Sequence, residues 1–430
     1  MTPAGRAAAA IELLSGIDVG ADPADTIITE YFRRRRYAGS SDRRAIRELV
    51  YGVLRGLGLL KWRLAEAGGD SEDARAWLIA ETATRAPADW EAIFNGGQFG
   101  PDPLSESERV LVERLGALSE ATEPRWARLN CPGWLLERFD QAFPQSCDAE
   151  LQALNEPAPV DLRVNLARTS RDKVQAYLQD EGHAVIPTAL SPAGLRAQSW
   201  LPLANIKAFK DGLVEIQGEG SQMLALAVNA QPGEWVADLC AGAGGKTLAL
   251  AAMMENSGRI IAADMSPARL RRMTPRLQRA GVTIAHTTAI DIAALADAVE
   301  PVDRVLIDAP CSGTGAWRRH PEARWRLTPE QIAEHVATQA GLQRDGARLV
   351  RPGGCLVYAT CSLLPQENEE QAAAFLNGHP QFRRVPVEQY LSSEQLAATG
   401  LSAGDDLHLS PARHGTDGVF AVVFEKSADG

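Results

Sequence analysis

From Glu234 onward the chain alternates short apolar runs with helical segments, and this alternation restricts the fold more than any other feature. The apolar runs are EWVADL, GRIIAAD, VTIAHTT, DRVLIDA and GCLVYAT. Between them lie KTLALAAMM, PARLRRMTPRLQRA and the long TPEQIAEHVATQAGLQRDGARLVRPGG. Strands that alternate with helices make a parallel sheet covered on both faces, because each crossover helix packs back onto the sheet. The expected class is an α/β, Rossmann-like domain. The last apolar run, GVFAVVFE, has no helix after it and reads as an antiparallel edge strand. Ligands of such a sheet sit beyond the carboxyl ends of its strands, so the residues there are the candidates for chemistry.

The chain has 430 residues, too many for one ordinary domain. Residues 1 to about 120 read as all-helical. MTPAGRAAAAIELLSG is expected to form a first helix rather than a signal peptide, since it carries an Arg and no cleavage pattern follows. AIRELVYGVLRGLGLLKWRLAE places apolar residues at helical spacing, with Ser41 and Asp42 as candidate caps. GGQFGPDPLSESE reads as a connection. Residues 121 to 220 read as a small α+β region, with a Pro-flanked helix (PGWLLERFDQAFP) and a strand–helix–strand pattern in VDLRVNLARTSRDKVQAYLQDEGHAV. Residues 221 to 430 hold the α/β part.

Bulk properties exclude several classes. No stretch approaches the roughly 20 apolar residues of a membrane helix. Six scattered cysteines do not form a disulfide framework and point to a reducing, cytoplasmic setting. Net charge is −11, which weighs against a nucleic-acid partner unless positive charge is concentrated locally. Arginines do cluster, at Arg33 to Arg36, at Arg43, Arg44 and Arg47, at Arg269 to Arg279 and at Arg318 to Arg326. Any of these clusters also fits a solvated helix face.

The first α/β strand runs into Asp238-Leu239-Cys240-Ala241-Gly242-Ala243-Gly244-Gly245-Lys246-Thr247. A glycine-rich turn there lets a ligand approach the backbone and offers free N–H groups at a helix start. Asp264 ends the second strand, 20 residues after Gly244, where an acidic side chain can bind ribose hydroxyls. Three ligands fit. A dinucleotide site would have glycine in place of Thr247. A P-loop would have glycine in place of Cys240. S-adenosylmethionine could be held by the same loop with Asp264 and Asp291. The loop alone leaves these open beside a plain tight turn.

Two cysteines sharpen the choice. The fourth strand ends in Asp308-Ala309-Pro310-Cys311-Ser312-Gly313-Thr314-Gly315 and the fifth in Tyr358-Ala359-Thr360-Cys361-Ser362. A lone cysteine is usually a small buried hydrophobe, which suits Cys131, Cys147 and Cys355. Cys311 and Cys361 instead follow abrupt strand ends on the ligand rim. Such a pair suits methylation of cytosine C5, a poor nucleophile. Addition of a thiolate at C6 makes C5 carbanion-like, so that it can take a methyl group from a sulfonium; a base then removes the C5 proton and the thiolate leaves. Asp308 can hydrogen-bond the pyrimidine edge and stabilise the charge that develops there. Neither cysteine has a CxxC partner, which argues against a zinc site.

The segments QGEGSQMLALAV, DLCAGAGGKT, DMSPARLRRM, DRVLIDAPCSGTG, RRHPEARWRLTPE, GGCLVYATCSLLPQENE and HGTDGVFAVVFE resemble the Sun (Fmu-like) family of RNA cytosine-5 methyltransferases. The resemblance spans about Pro132 to Glu425. It implies an S-adenosylmethionine-dependent enzyme acting on RNA, with 16S ribosomal RNA as the expected substrate, as a monomer without metal. It implies that Cys361 is the nucleophile and that Cys311 assists breakdown of the covalent adduct. Cofactor contacts would come from Cys240, Ala241, Gly242, Ala243, Gly244, Gly245 and Lys246, with Asp264, Asp291 and Asp308. SSDRRAIRELVYGVLRG looks like a NusB-like helical RNA-binding domain, and LRVN like a strand of the family's small RNA-binding domain. Arg33 to Arg36 and the Arg318 to Arg326 loop are then the first candidates for RNA contact. One departure stands out. The family loop is commonly CAAPGGKT, whereas Gly242 and Ala243 here replace Ala and Pro, which frees the turn.

Overall fold

A computed structural model describes residues 1–19, 22–85, 90–402 and 404–428. The chain divides into two compact units. One comprises Met1–Pro157 with Trp317–Leu327; the other comprises Ala158–Ala316 with Thr328–Gly430.

The first unit is helical. Its main helices are Pro3–Val19, Ala24–Arg34, Ser40–Ala67, Ala74–Arg85 and Glu106–Ala117. The helix Ser40–Ala67 buries Ile46, Val50, Val53, Leu57, Leu60 and Leu64, the apolar stripe expected from its spacing. Gly68 stops it at φ +77. Ser41 and Asp42 do not cap it. They lie inside the first turn, after Gly39 at the N-cap, and Asp42 instead accepts a hydrogen bond from Arg6 Nε at 2.9 Å. The stretch from residue 96 to 105 is a connection, and Ser105 with Glu108 forms a capping box for the helix that follows.

Part of this unit's interior comes from far along the chain. Trp317 is fully buried and packs on Phe139, with ring centroids 5.5 Å apart. Arg324 is also fully buried. It donates to Asn130 O at 2.7 Å, Asn155 Oδ1 at 2.5 Å and Leu154 O at 3.1 Å, and its guanidinium lies 4.8 Å from the Trp317 ring centroid. Burial lowers its pKa to about 10. Glu322 accepts from the Ala24 amide at 2.9 Å, and Arg326 donates to Ile17 O and Asp22 O. These contacts take Arg318 and Arg324 out of the RNA surface expected of Arg318 to Arg326. Arg318 and Arg324 are interior, and Arg326 is used to satisfy backbone carbonyls.

The second unit contains two sheets. Strands β1 (Asp161–Val164), β2 (Val185–Pro187), β3 (Gly194–Ala197) and β4 (Val214–Ile216) form an antiparallel sheet in the order β2-β3-β1-β4. The helix Arg171–Asp180 covers it, and Leu162, Val164, Val174, Leu178, Leu195 and Val214 make its core. The large sheet holds β5 (Trp235–Asp238), β6 (Arg259–Ala263), β7 (Ala285–Thr288), β8 (Val302–Asp308), β9 (Val350–Thr360), β10 (Phe382–Val385), β11 (Leu407–Leu409) and β12 (Val419–Lys426). Its order is β10-β12-β9-β8-β5-β6-β7, with β11 also on β12.

Strands β5 to β9 are parallel, as the alternation predicts. The crossover helices include Gly245–Met253, Pro267–Ala280 and Pro329–Arg348, the last begun by a capping box of Thr328 and Gln331. β12 is antiparallel, but it is not an edge. It pairs with β9 on one side and with β10 and β11 on the other. That placement explains its unbroken apolar run, since Val419 through Phe424 are all buried. β5 and β8 are neighbours whose onward connections run to opposite sides of the sheet. This is the switch point at which open α/β sheets form a crevice.

Removing Trp317 tests its place in the helical unit. Trp317→Ala is expected to lower stability by about 3–5 kcal/mol, the usual cost of emptying a buried aromatic site. Urea unfolding followed by circular dichroism measures this; a loss below about 1 kcal/mol would show that the segment is peripheral.

Candidate active site

The site is built on the pairing of β8 with β9, which places Asp308 opposite Ala359. Both strands end there, and the loops that leave them carry the two cysteines. Cys311 Sγ lies 3.4 Å from Cys361 Sγ, and both residues are half-buried. The loops are locked together by backbone and side chain. Gly315 N donates to Cys361 O at 2.9 Å, and Leu363 N donates to Thr314 Oγ1 at 2.8 Å. Gly315 O in turn accepts from Gly418 N at 2.9 Å. A Cβ at residue 315 would fall 2.1 Å from Gly418 O, so only glycine allows this approach. The contact with Cys361, together with burial, pushes the Cys311 thiol well above an ordinary cysteine.

The glycine-rich loop follows β5 on the other side of β8. Gly244 caps the next helix at φ +84, and a Cβ there would meet Met273 Cγ at 2.4 Å. Gly242 has φ +56, a left-handed conformation that alanine takes only with strain. The departure from the usual family loop is thus used by the backbone. Asp264, at the end of β6, is buried. Its two carboxylate oxygens accept from Gly242 N at 2.9 Å and from Ser266 N at 2.7 Å. Lys246 reaches across to Asp308, with Nζ 2.6 Å from Oδ2. Burial alone would lower the Lys246 pKa, but the charge and hydrogen bond of Asp308 raise it above its ordinary value. Asp308 thereby joins the glycine loop to the cysteine loops. Cys240 is a poor nucleophile here, because burial and then the charges of Asp308, Asp238 and Asp264 push its thiol up.

Asp291 stands apart from this network. It is exposed and caps the helix Ile292–Ala298, with Oδ1 accepting from Ala293 N at 2.9 Å. The other cysteines are what lone cysteines usually are. Cys131 and Cys147 are buried, and desolvation pushes both thiols up to about 12. Of the remaining arginine clusters, Arg33 and Arg34 pair with Glu30, and Arg35 pairs with Glu12 while lying over the Tyr31 ring. Arg276 and Arg279 both pair with Glu215 of β4. Among the described residues no group of three or more His, Cys, Asp and Glu side chains could hold a metal ion, and no helix is long and apolar enough to cross a membrane.

Three side chains in the site escape a reading of motifs. Arg163, in the LRVN segment, is buried and donates to Gly245 O at 2.7 Å and to Gln217 Oε1, so the small sheet braces the glycine loop directly. Burial lowers its pKa to about 10, opposed by Glu215. Glu367 and Gln339, both fully buried, bond the cysteine loops. Glu367 lies in the LLPQENE motif, where its proximity to Cys361 is a usable signal. Gln339 sits in mid-helix and gives none.

Comparison with known proteins yields consistent findings. Residues 225–425 match a family model described as 16S rRNA methyltransferase RsmB/F, and residues 131–203 match the ferredoxin-like domain of RsmF/B-like methyltransferases. The ribosomal RNA small subunit methyltransferase B of Citrobacter koseri is 34% identical over 409 residues, covering 88% of this chain and 90% of that protein. The crystal structure of PH0851 superposes with a TM-score of 0.79 at 26% identity, covering 99% of each chain. NSun6 from Pyrococcus horikoshii, solved with SFG, shares the fold at 22% identity and a TM-score of 0.61, covering 69% of this chain and 98% of its own.

Asp238, beneath the glycine loop, offers a pH test. It is fully buried, and Thr247 Oγ1 donates to it at 2.7 Å. Burial, opposed by that bond, pushes its carboxyl up to about 7. In the unfolded chain the same group titrates near ~4. The folded state therefore holds this proton more tightly, and the resulting stability, complete below that lower value, is lost as pH rises through 7. Asp238→Asn removes the dependence. Its chemical stability between pH 4 and pH 8 should fall less than that of the parent, by on the order of 3 kcal/mol. Parallel curves would show that Asp238 is ionised in the folded protein.

Proposed function

The chain belongs to the 16S rRNA methyltransferase RsmB/F family, and from that premise we propose that it methylates C5 of a cytosine in small-subunit ribosomal RNA through a covalent Cys361 adduct. It is an S-adenosylmethionine-dependent enzyme. The observation that carries the finer reading is the 3.4 Å contact between two thiols at the ends of adjacent parallel strands, beside a loop shaped for the cofactor.

The loop residues fit that cofactor. Gly242 and Gly244 both hold left-handed backbone conformations, a Cβ at Gly244 would collide with Met273, and Asp264 presents a buried carboxylate at the end of β6, where a ribose would lie. Cys240 through Lys246, Asp264 and Asp308 are the residues that would hold it; Asp291, occupied as a helix cap, stands outside that group. When bound, S-adenosylmethionine supplies an electrophilic methyl group on a sulfonium.

The chain's own residues prepare the pyrimidine. The Cys361 thiolate adds to C6, forming an S–C6 bond and placing electron density on C5. Asp308, anchored by Lys246 at Oδ2, accepts a hydrogen bond from the exocyclic amine of the cytosine through Oδ1 and so orients the ring for attack. Once C5 is substituted, its proton leaves to a base, the electrons re-form the C5–C6 double bond, and the S–C6 bond breaks. Cys311, held as a thiol beside Cys361, assists this last step.

Two variants separate the roles. Cys361→Ala should abolish methyl transfer to RNA, by about 10³-fold or more, as expected for loss of a covalent nucleophile. Full activity in that variant would refute the assignment. Cys311→Ala should form the adduct but release it slowly, giving a protein–RNA band on a denaturing gel under turnover conditions; absence of the band would remove Cys311 from product release. Bisulfite sequencing of ribosomal and transfer RNA from a deletion strain and its parent should show one or a few 16S positions losing protection. A loss confined to transfer RNA would overturn the substrate.

A further inference from the structure

We propose that Glu367, with its neighbour Asn368, is a positioning residue that sets the two cysteine loops against each other and holds Cys311 to its role as the proton-bearing partner of Cys361. The proposal rests on the two-cysteine reading above and adds a residue that acts through both.

Glu367 lies in the short 3₁₀ turn Pro365–Glu367, six residues after Cys361, and is fully buried. A buried carboxylate is costly unless its oxygens are fully used. Among the described residues no cation lies within ion-pair distance of it. Its oxygens are instead filled by neutral donors. Oε1 accepts from Ser312 N at 2.8 Å and Gln339 Nε2 at 3.1 Å. Oε2 accepts from Ser312 Oγ and from Ser362 Oγ, each at 2.5 Å. Ser312 and Ser362 are the residues that directly follow Cys311 and Cys361. One carboxylate thus ties down the C-terminal side of both cysteines.

The N-terminal sides are held by the same group of residues. Gln339 Nε2 also donates to Pro310 O at 3.0 Å, just before Cys311. Asn368 Oδ1 accepts from Thr360 Oγ1 at 2.6 Å, just before Cys361, and Asn368 Nδ2 donates to Ser362 O at 3.0 Å. Tyr358 Oη donates to the Glu367 carbonyl at 2.6 Å. Every residue flanking a cysteine therefore bonds to Glu367, Asn368 or Gln339. A turn kept only for packing could be apolar, and it would carry no desolvated charge.

The charge has a second effect. The titratable groups that bear on Cys311 are Tyr358 from β9, Cys361 from the loop after it and Glu367 from the turn, with Asp308 at the end of β8 paired to Lys246. After the contact with Cys361, burial and the charge of Cys361, the charge of Glu367 further raises the Cys311 thiol. Glu367 thus favours the proton staying on Cys311.

The test uses the full-length protein and needs no RNA for its first readout. Iodoacetamide alkylation of Cys311 and Cys361 is followed by peptide mass spectrometry from pH 6 to pH 9. In Glu367→Gln, Cys311 should alkylate about two- to fivefold faster near neutrality, with its pH profile moved to lower pH. Its kcat on RNA should fall by about 10- to 100-fold, the loss expected for charge-assisted hydrogen bonds, while KM and cofactor affinity hold within about twofold. Ser312→Ala with Ser362→Ala keeps the charge and removes the hydroxyl bonds. It should lower kcat similarly without moving the Cys311 profile to lower pH. A folded Glu367→Gln protein with unchanged kcat and an unchanged alkylation profile would overturn the proposal. If Glu367→Gln does not fold, an unchanged kcat in the double serine variant does so. Activity in Cys361→Ala would sink the covalent reading, yet the alkylation profile would still report on Glu367.

Discussion

The register of β8 against β9 determines where everything else in the site must stand. Asp308 sits opposite Ala359, so the two strands run out together. Cys311 and Cys361, three and two residues further on, have only a short length of chain in which to diverge. That shortness leaves the thiols in contact at 3.4 Å. The same register puts Asp308 between the cysteines and β5, where Lys246 meets it. A slip of one residue would turn every side chain of β8 to the opposite face and dismantle the arrangement. The burial of Val305, Leu306 and Ile307, on a strand covered on both faces, specifies the register strongly.

The glycine loop depends on a second body of the same unit. Arg163 of β1 bonds the Gly245 carbonyl, and Glu215 of β4 draws in Arg276 and Arg279, while Arg276 also donates to Ala243 O at 2.5 Å. The turn that would carry the cofactor is therefore gripped from outside the Rossmann-like sheet. This compensates for Gly242 and Ala243, which free the turn relative to the Ala-Pro of the usual family loop. Flexibility written locally is removed by tertiary contacts.

Much of this was legible in the sequence because it is local. Strands β5 to β9, their crossover helices and the residues at their ends follow from period and from turn chemistry, which a linear reading detects. What was not legible depends on partners distant in the chain. GVFAVVFE gives an antiparallel strand but cannot say that β10 and β11 will cover its far side. Arg318 to Arg326 has the composition of a basic surface, and only Asn130, Leu154 and Asn155, between 169 and 194 residues earlier, turn Arg324 into an interior residue. Ser41 and Asp42 have capping chemistry, but the helix starts before them. Glu367 reads as a charged residue near a helix start until the two serines that surround it are placed.

The charges around the two cysteines bear on Cys311 in a way that spacing along the chain does not reveal. The charge of Glu367 bears on Cys311 and opposes ionisation of that thiol. The cation beside Asp308 is Lys246. Its ammonium is favoured mainly by Asp308, then by Asp238 and by Cys361 itself, against the cost of burial. Cys311 is subject to its neighbour's contact, to burial and to Glu367, all of which keep its proton in place. Cys311 lies 3.4 Å from Cys361 and is held as a thiol by that contact and by burial. A thiol fixed at that distance suits the part in adduct release that the proposed mechanism gives to Cys311.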